Sequence, residues 1–142
     1  MSQDLVTFFN KQPRLGTLST ASRDGRVNAA VFGSMRMLDE QTVTVGLGKN
    51  QSLENLRENP HAVFLVMEPG PTAPEWKGVR VYLKLTECHT EGPKLEEKRA
   101  EIGQAIGMDA AKKMIQAAAF FQVEAIRPLM DVGQGWERAI GG

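Results

Sequence analysis

A chain of 142 residues and 15.6 kDa has the usual size of one domain, so we predict a single domain over residues 1–142. Lysine plus arginine (17) equals aspartate plus glutamate (17), which excludes a broad basic surface for nucleic acid or an anionic membrane. No apolar run approaches the ~20 residues that a membrane-spanning helix needs, so a transmembrane segment is excluded as well.

The redox compartment follows from the cysteine content. Cys88 is the single cysteine, so the chain has no internal disulfide, and one thiol with two histidines is too small a set for a typical structural zinc site. The first residues, Met1–Leu5, lack the basic and apolar regions of a secretion signal. We therefore expect a cytoplasmic protein without a metal centre.

The first elements are a short helix and a β-hairpin. Apolar residues between Asp4 and Lys11 suit an amphipathic helix that Ser2 or Asp4 would cap. Residues 15–22 have strand-like composition and precede the tight-turn pair Asp24-Gly25. The return arm is predicted over residues 27–38, and a further strand over residues 42–47 completes a three-stranded meander.

The middle of the chain alternates loop, helix and strand. A glycine-bearing loop over residues 46–52 leads into a helical stretch over residues 53–59, which Pro60 ends. Residues 61–68 are apolar at both alternate sets, which predicts a central strand covered on both faces. The loop 69–75 is rich in proline, and residues 79–86 alternate as in a half-exposed strand.

The last third contains two helices and a closing strand. Residues 94–118 read as two helices separated near Gly107, each with an apolar stripe that suits burial. Residues 120–127 return to strand-like composition before Pro128. Because strands dominate, the fold class is mainly β, a small antiparallel β-barrel with accessory helices.

One local pattern points to an anion site. The loop Lys49-Asn50-Gln51-Ser52 enters a helix that begins near Ser52, and a helix N-terminus offers unpaired N–H groups to a phosphate. Lys49 supplies a cation, and Arg36 on the neighbouring strand of the predicted meander would reach the same anion. The competing interpretation is that Ser52 is an ordinary N-cap and that both cations are solvated.

Catalytic motifs of the common hydrolase, metalloprotease, nucleotide-binding and dinucleotide-binding classes are absent from the sequence. His61 begins an apolar strand, and Cys88 and His89 would point to opposite faces of a strand, so neither indicates a metal or a Cys-His pair. Trp76 and Trp136 lie near irregular segments, where each would either stack on a planar ring or close an end of the core.

The order of elements resembles a known family. The quoted segments are Leu15 to Ser22, Asp24-Gly25, Val27 to Ser34, Leu38-Asp39, Val43 to Gly46, Gln51 to Leu56 and Asn59 to Val63. Together they resemble the pyridoxamine 5'-phosphate oxidase-like family of FMN-binding split barrels. The resemblance implies a six-stranded antiparallel split barrel that forms a homodimer with FMN at the subunit interface.

The resemblance also implies site residues. Val31, Phe32, Gly33 and Ser34 would lie along the isoalloxazine ring, with Val45, Gly46 and Leu47 flanking it on the next strand. Lys49, Asn50, Gln51 and Ser52 would hold the phosphate, as the helix-terminus argument proposes independently. Relatives often have a basic residue at the position of Gln51, so the phosphate charge would rest on Lys49, Arg36 and backbone donors. Trp136 of the partner chain would approach the flavin.

The resemblance stops short of vitamin B6 oxidation. Pyridoxamine phosphate oxidases carry a C-terminal Arg and His pair, whereas this chain has Arg138 and no histidine after Pro128. The implied function is FMN binding with an oxidoreductase or electron-transfer role and an unknown redox partner. The alternatives are a non-catalytic split-barrel protein for haem, a deazaflavin or a regulatory ligand, and a plain interaction module.

Overall fold

The computed structural model describes residues 4–141, which contain seven strands, five α-helices and a short 3-10 helix, Ala73–Glu75. The strands are β1 (Leu15–Ala21), β2 (Val27–Val31), β3 (Arg36–Asp39), β4 (Thr42–Leu47), β5 (His61–Glu68), β6 (Lys77–His89) and β7 (Ala117–Pro128). The α-helices are α1 (Leu5–Asn10), α2 (Gln51–Glu58), α3 (Pro93–Ile106), α4 (Met108–Met114) and α5 (Trp136–Ala139).

All strands join one antiparallel sheet in the order β2-β1-β5-β6-β7-β4-β3. The mainly β class is confirmed, but the count of six strands is wrong by one. The extra strand arises because the predicted return arm over residues 27–38 is two strands, β2 and β3, which lie at opposite edges of the sheet. The predicted three-stranded meander is therefore wrong as well.

The turn and the first helix cap predicted from the sequence are present in the structure, whereas the N-cap of α2 is a different residue. The β1–β2 hairpin turns at Gly25, whose φ of 88° is in the region that glycine adopts readily. Asp4 caps α1 by accepting from the N–H of Val6 at 2.7 Å, whereas Ser2 lies outside the described residues. The N-cap of α2 is Asn50, not Ser52, because Asn50 Oδ1 accepts from the N–H of Leu53 at 2.9 Å.

One main core fills the curved sheet. Its largest fully buried side chains include Phe8 and Phe9 of α1, Phe64 of β5 and Phe121 of β7. The rings of Phe9 and Phe64 pack with centroids 5.1 Å apart. Strand β5 lies inside the sheet between β1 and β6, as predicted for a central strand. One of its faces is buried at Ala62, Phe64 and Val66, and the other is half-buried except for the exposed His61, so the prediction that both faces are covered is correct only in part within this chain.

Helices α3 and α4 pack outside the main core, against β4 and β7. They meet at Gly107, whose φ is 93°, as predicted for the break between them. A small separate cluster of Leu95, Ile115 and Ala118 holds them to the sheet. Ala118 pairs with Gly46 in the β4–β7 ladder, so the predicted continuation of helix to Ala118 is wrong. No helix within residues 4–141 is long and apolar enough to cross a membrane.

A buried polar contact fixes α2 on β1 and provides a test of the packing. Asn55 is buried, donates to Thr20 Oγ1 at 3.0 Å and accepts from Gln51 Nε2 at 2.9 Å. Asn55→Ala leaves Thr20 without this partner, so we expect the free energy of unfolding to fall by about 1–2 kcal/mol. Urea unfolding measures this, with the exposed Glu54→Ala of the same helix expected within about 0.5 kcal/mol of wild type. Equal stability of wild type and Asn55→Ala would contradict the contact.

Candidate functional site

A cleft of about 650 Å³ opens between the segment that links β2 to β3 and the helices α3 and α4. This volume lies within the range of about 300–1,000 Å³ common for cofactor sites. The cleft is lined by Asn10, Gln12, Arg14, Val31, Phe32, Gly33, Ser34, Met35, Arg36, Gly46, Gly48, Asn50, Glu101, Ile102, Ala105, Ile106, Met114 and Ile115.

The helical wall of the cleft is apolar. It consists of Ile102, Ala105 and Ile106 from α3 together with Met114 and Ile115 at the end of α4. Ile106 and Met114 are exposed, at 46% and 60% of their surface. Such a wall suits the flat apolar face of an aromatic ligand.

The opposite wall is backbone between β2 and β3. The N–H groups of Gly33 and Ser34 donate to no other residue within the range 4–141, whereas Met35 closes a tight turn over these two residues. The Ser34 hydroxyl instead joins this wall to β4, because it accepts from the N–H of Gly46 at 3.1 Å and donates to the carbonyl of Gly46 at 3.3 Å. The wall therefore offers a pair of donors to acceptor atoms of a ligand.

The charges at the cleft form a linked group. Arg36 Nε contacts Glu101 Oε1 at 2.9 Å, and the buried Lys98 contacts Glu101 Oε2 at 2.6 Å. Glu101 thus offsets one of two cations and joins β3 to α3 across the cleft. Because Arg36 already has a carboxylate partner, it is a poorer phosphate ligand than the sequence predicts.

A second depression adjoins the cleft at the N-terminus of α2. It is lined by Lys49, Asn50, Gln51, Leu53, Glu54, Arg57, Thr90 and Gln116, and Asn50 is common to both concavities. Lys49 and Arg57 supply its two cations, and Glu54 Oε1 lies 3.7 Å from Arg57 Nη1. The depression therefore combines cations with the amide groups of a helix N-terminus.

The remaining predicted site residues lie elsewhere in the chain. Val45 and Leu47 are fully buried in the main core, because the odd positions of β4 face inward, whereas Gly46 lines the cleft. Ser52 is buried, and its Oγ accepts from Asn28 Nδ2 at 3.3 Å. Trp136 begins α5 and packs against the main core, outside the residues that line the cleft.

Several cleft residues were missed by the sequence reasoning. Asn10, Gln12, Arg14, Met35, Gly48 and Glu101 gave no local signal, since tertiary contacts bring them to the cleft. The apolar residues of α3 and α4 did give a signal, but a stripe that lines a cleft looks the same in sequence as a stripe that enters a core.

The chain's histidines and cysteine lie outside the cleft. His61 Nδ1 is 3.3 Å from Glu124 Oε1, and His89 Nε2 is 2.8 Å from Glu87 Oε1. Desolvation raises the pKa of the Cys88 thiol, and the charge of Arg57 opposes that shift only partly. The thiol is therefore protonated at neutral pH and is not an activated nucleophile.

Comparisons with known proteins place the fold. The solved structures similar to this chain include an FMN-binding protein from Syntrophomonas wolfei subsp. wolfei, at 23% identity and a TM-score of 0.72, covering 87% of this chain and 82% of that one. HutZ, the heme storage protein from Vibrio cholerae, has 16% identity and a TM-score of 0.65, with 83% and 87% covered. An F420 reductase has 14% identity and a TM-score of 0.63, with 87% and 97% covered.

The family follows from the sequence comparison. None of the curated proteins matches the chain. The model of the pyridoxamine 5'-phosphate oxidase family matches residues 1–127, which is most of the chain and includes every strand except the last residue of β7. The chain belongs to the pyridoxamine 5'-phosphate oxidase family.

Proposed function

We propose that the chain binds FMN, with the isoalloxazine ring in the cleft and the phosphate in the depression at the start of α2. The observation that carries this proposal is the pairing of an apolar cleft, bordered by backbone donors, with a cationic depression that shares Asn50. FMN has the same division, since a flat ring with acceptor atoms at one edge is joined by a short chain to a phosphate.

The residues present fit this cofactor. Ile102, Ala105 and Met114 would contact the ring, and the N–H groups of Gly33 and Ser34 would meet its acceptor atoms. Lys49, Gln51 and Arg57 would hold the phosphate beside the amides at the N-terminus of α2. Asn50, Val31, Phe32 and Gly46 would border the ribityl chain and ring, whereas Val45, Leu47 and Ser52 would support the site from the core.

The chemistry would be the flavin's own. A bound flavin supplies hydride or single-electron transfer, and the protein binds, orients and shields it. We propose an oxidoreductase or electron-transfer role with a redox partner that is a small molecule or a protein.

We also propose a homodimer in a reducing cytoplasm. Edge strand β2 exposes Val27 at 84% and Val31 at 78%, and Val31 lines the cleft. A partner chain packed on this strand would bury both valines and wall the open side of the cleft. The partner's Trp136 would then be a candidate for contact with the ring. The exposed thiol of Cys88 is compatible with a reducing compartment.

The second candidate function is binding of another planar cofactor. The heme storage protein and the F420 reductase share the fold, and their names refer to two other planar cofactors, haem and F420. For haem, neither histidine of this chain lines the cleft, so the residues of axial-ligand type among those that line it are the buried Met35 and the exposed Met114. A deazaflavin has a tricyclic ring like that of FMN, and the same walls would accept it.

The experiment that tests the proposal is a visible absorption spectrum of the purified protein, followed by titration with FMN. We expect oxidised-flavin bands at about one flavin per chain, and bleaching by a suitable reductant. A protein that is colourless and does not bind added FMN would contradict the proposal. Parallel titrations with F420 and haemin then separate the alternatives, and light scattering with and without FMN measures the mass of the assembly.

A further inference from the structure

One guanidinium lies behind the backbone wall of the cleft. Arg14 follows α1, and its Nη1 donates to the carbonyl of Phe9, at the end of that helix, at 2.7 Å. Its Nη2 donates to the carbonyl of Gly33 at 3.2 Å and also to the carbonyl of Met35. The same group lies over two core rings, 5.5 Å from the centroid of Phe9 and 5.4 Å from that of Phe64.

These contacts explain how an irregular segment keeps one shape. The link between β2 and β3 makes no ladder hydrogen bond, and its N–H groups at Gly33 and Ser34 have no partner among the described residues. Its carbonyls, by contrast, converge on a single cation whose planar fork matches several acceptors at once. Asn10 extends the attachment, because its amide accepts from the N–H of Met37 at 2.9 Å and donates to the carbonyl of Met37 at 2.8 Å.

The cation also affects the donors. The carbonyl of Gly33 and the N–H of Ser34 belong to one peptide group, so a positive charge at the oxygen polarises that group and strengthens its N–H as a donor. Desolvation lowers the pKa of Arg14, yet an arginine side chain stays protonated in proteins. The charge at the carbonyls is therefore permanent.

We infer that Arg14 is a positioning residue of the cleft, which fixes the segment 33–35 so that the N–H groups of Gly33 and Ser34 form a preset pair of donors for the acceptor atoms of the ligand. This inference deepens the proposed FMN site and rests on it for the identity of the ligand. The fixing of the segment is a property of the ligand-free protein and does not depend on FMN.

The experiment measures backbone order and affinity in the same variants. Backbone amide order parameters from nuclear magnetic resonance are compared between ligand-free wild type and Arg14→Lys, which keeps the charge but loses the fork. We expect values near 0.85 for Ser34 and Met35 in wild type and below about 0.6 in Arg14→Lys, with β5 unchanged in both. The FMN dissociation constant should rise about tenfold in Arg14→Lys.

The matched control is Arg80→Lys. Arg80 is also a half-buried arginine, and its Nε donates to the backbone carbonyl of Pro128 at 2.9 Å. Pro128 ends β7, whereas the start of β7 pairs with β4 beside the cleft. We expect Arg80→Lys to leave the order of residues 33–35 unchanged and the FMN dissociation constant within twofold. A second measurement needs no variant, since restricted rotation should separate the Nη resonances of Arg14 but not those of the exposed Arg23.

Several results would overturn the inference. In wild type, a low order parameter for Ser34 or averaged Nη resonances for Arg14 would overturn it. In Arg14→Lys, backbone order equal to that of wild type, or a loss of order that extends to β5, would overturn it as well. A lowered order parameter with unchanged FMN affinity would overturn it too, because the pair of donors would then not serve the ligand. If wild type binds no FMN, the proposed function fails, and the order parameters alone still decide whether Arg14 fixes the segment.

Discussion

Replacing Lys49 and Arg57 together by methionine should weaken FMN binding by about 2–3 kcal/mol, or roughly 30–150-fold, because charge-assisted contacts to the phosphate are lost. Riboflavin has the same ring without the phosphate, so its affinity should stay within about twofold. Fluorescence quenching of each flavin on addition of protein measures both constants. Added salt should reduce the difference between wild type and the double variant, since both side chains are exposed.

The matched control removes two exposed cations from a different surface. Lys84 of β6 and Arg127 of β7 are both exposed, and neither lines the cleft or the depression. The double methionine variant of these two positions should bind FMN like wild type. Equal weakening of FMN and riboflavin in Lys49→Met/Arg57→Met would show a general disturbance of the site, and unchanged FMN affinity would remove the phosphate from this depression.

The sequence predicts the local parts of the fold well. The Asp24-Gly25 turn, the cap at Asp4 and the break at Gly107 depend on backbone preferences of a few neighbouring residues, and each is present in the structure. Glycine, lysine and a capping side chain also occur together in the loop before α2, and this pattern is the basis of the predicted anion site. The identity of the cap was wrong, since Asn50 and Ser52 are both good N-cap residues.

The division of residues 27–38 into two strands was not predictable from local pattern. Strand-like composition continues on both sides of Gly33-Ser34, and a glycine inside a strand pattern also fits a bulge, so this pair does not by itself mark a break. The break depends on partners far away in sequence, namely Arg14 for the carbonyls and Gly46 for the Ser34 hydroxyl. Arg36 does lie on the strand beside β4, as predicted, and pairs there with Thr44, but nothing local indicates its ion-pair partner Glu101, which is 65 positions later in the chain and on another element.

The role of α3 and α4 in the cleft was hidden for a different reason. Their apolar residues were correctly identified as a packing surface, but only part of that surface is buried, namely Leu95, Ala111 and Ile115. Ala105, Ile106 and Met114 are exposed and line the cleft instead. Gly46 of β4 lies where Ile102 and Ile115 approach the sheet, so added volume at Gly46 would displace side chains of the cleft.

Gly46→Val should close the cleft from its floor. A Cβ at Gly46 would lie 2.5 Å from Cδ1 of Ile102 and 3.2 Å from Cγ2 of Ile115, which is closer than such atoms pack. The obstructing atoms are the ends of flexible side chains, so we expect Ile102 to move into the cleft and the fold to survive. Overpacking of this kind costs about 1–3 kcal/mol of stability. Affinity for FMN and for riboflavin should fall together, by roughly 100-fold or more, which corresponds to about 2.7 kcal/mol.

A second substitution tests the mechanism of that loss. Gly46→Val/Ile102→Ala removes the side chain that the valine displaces. The free energy of unfolding and the flavin affinity of this double variant should therefore both recover most of the way to wild type. In the free energy of unfolding, the two substitutions should show a coupling energy of at least about 1 kcal/mol. Gly33→Ala is the control for adding a methyl group beside the cleft, because a Cβ there meets no atom within 4 Å, and its stability should stay within about 0.5 kcal/mol of wild type. Normal flavin binding by Gly46→Val, or additive effects in the double variant, would mean that the ring does not lie between β4 and α3, and the cofactor would then have to lie outside this cleft.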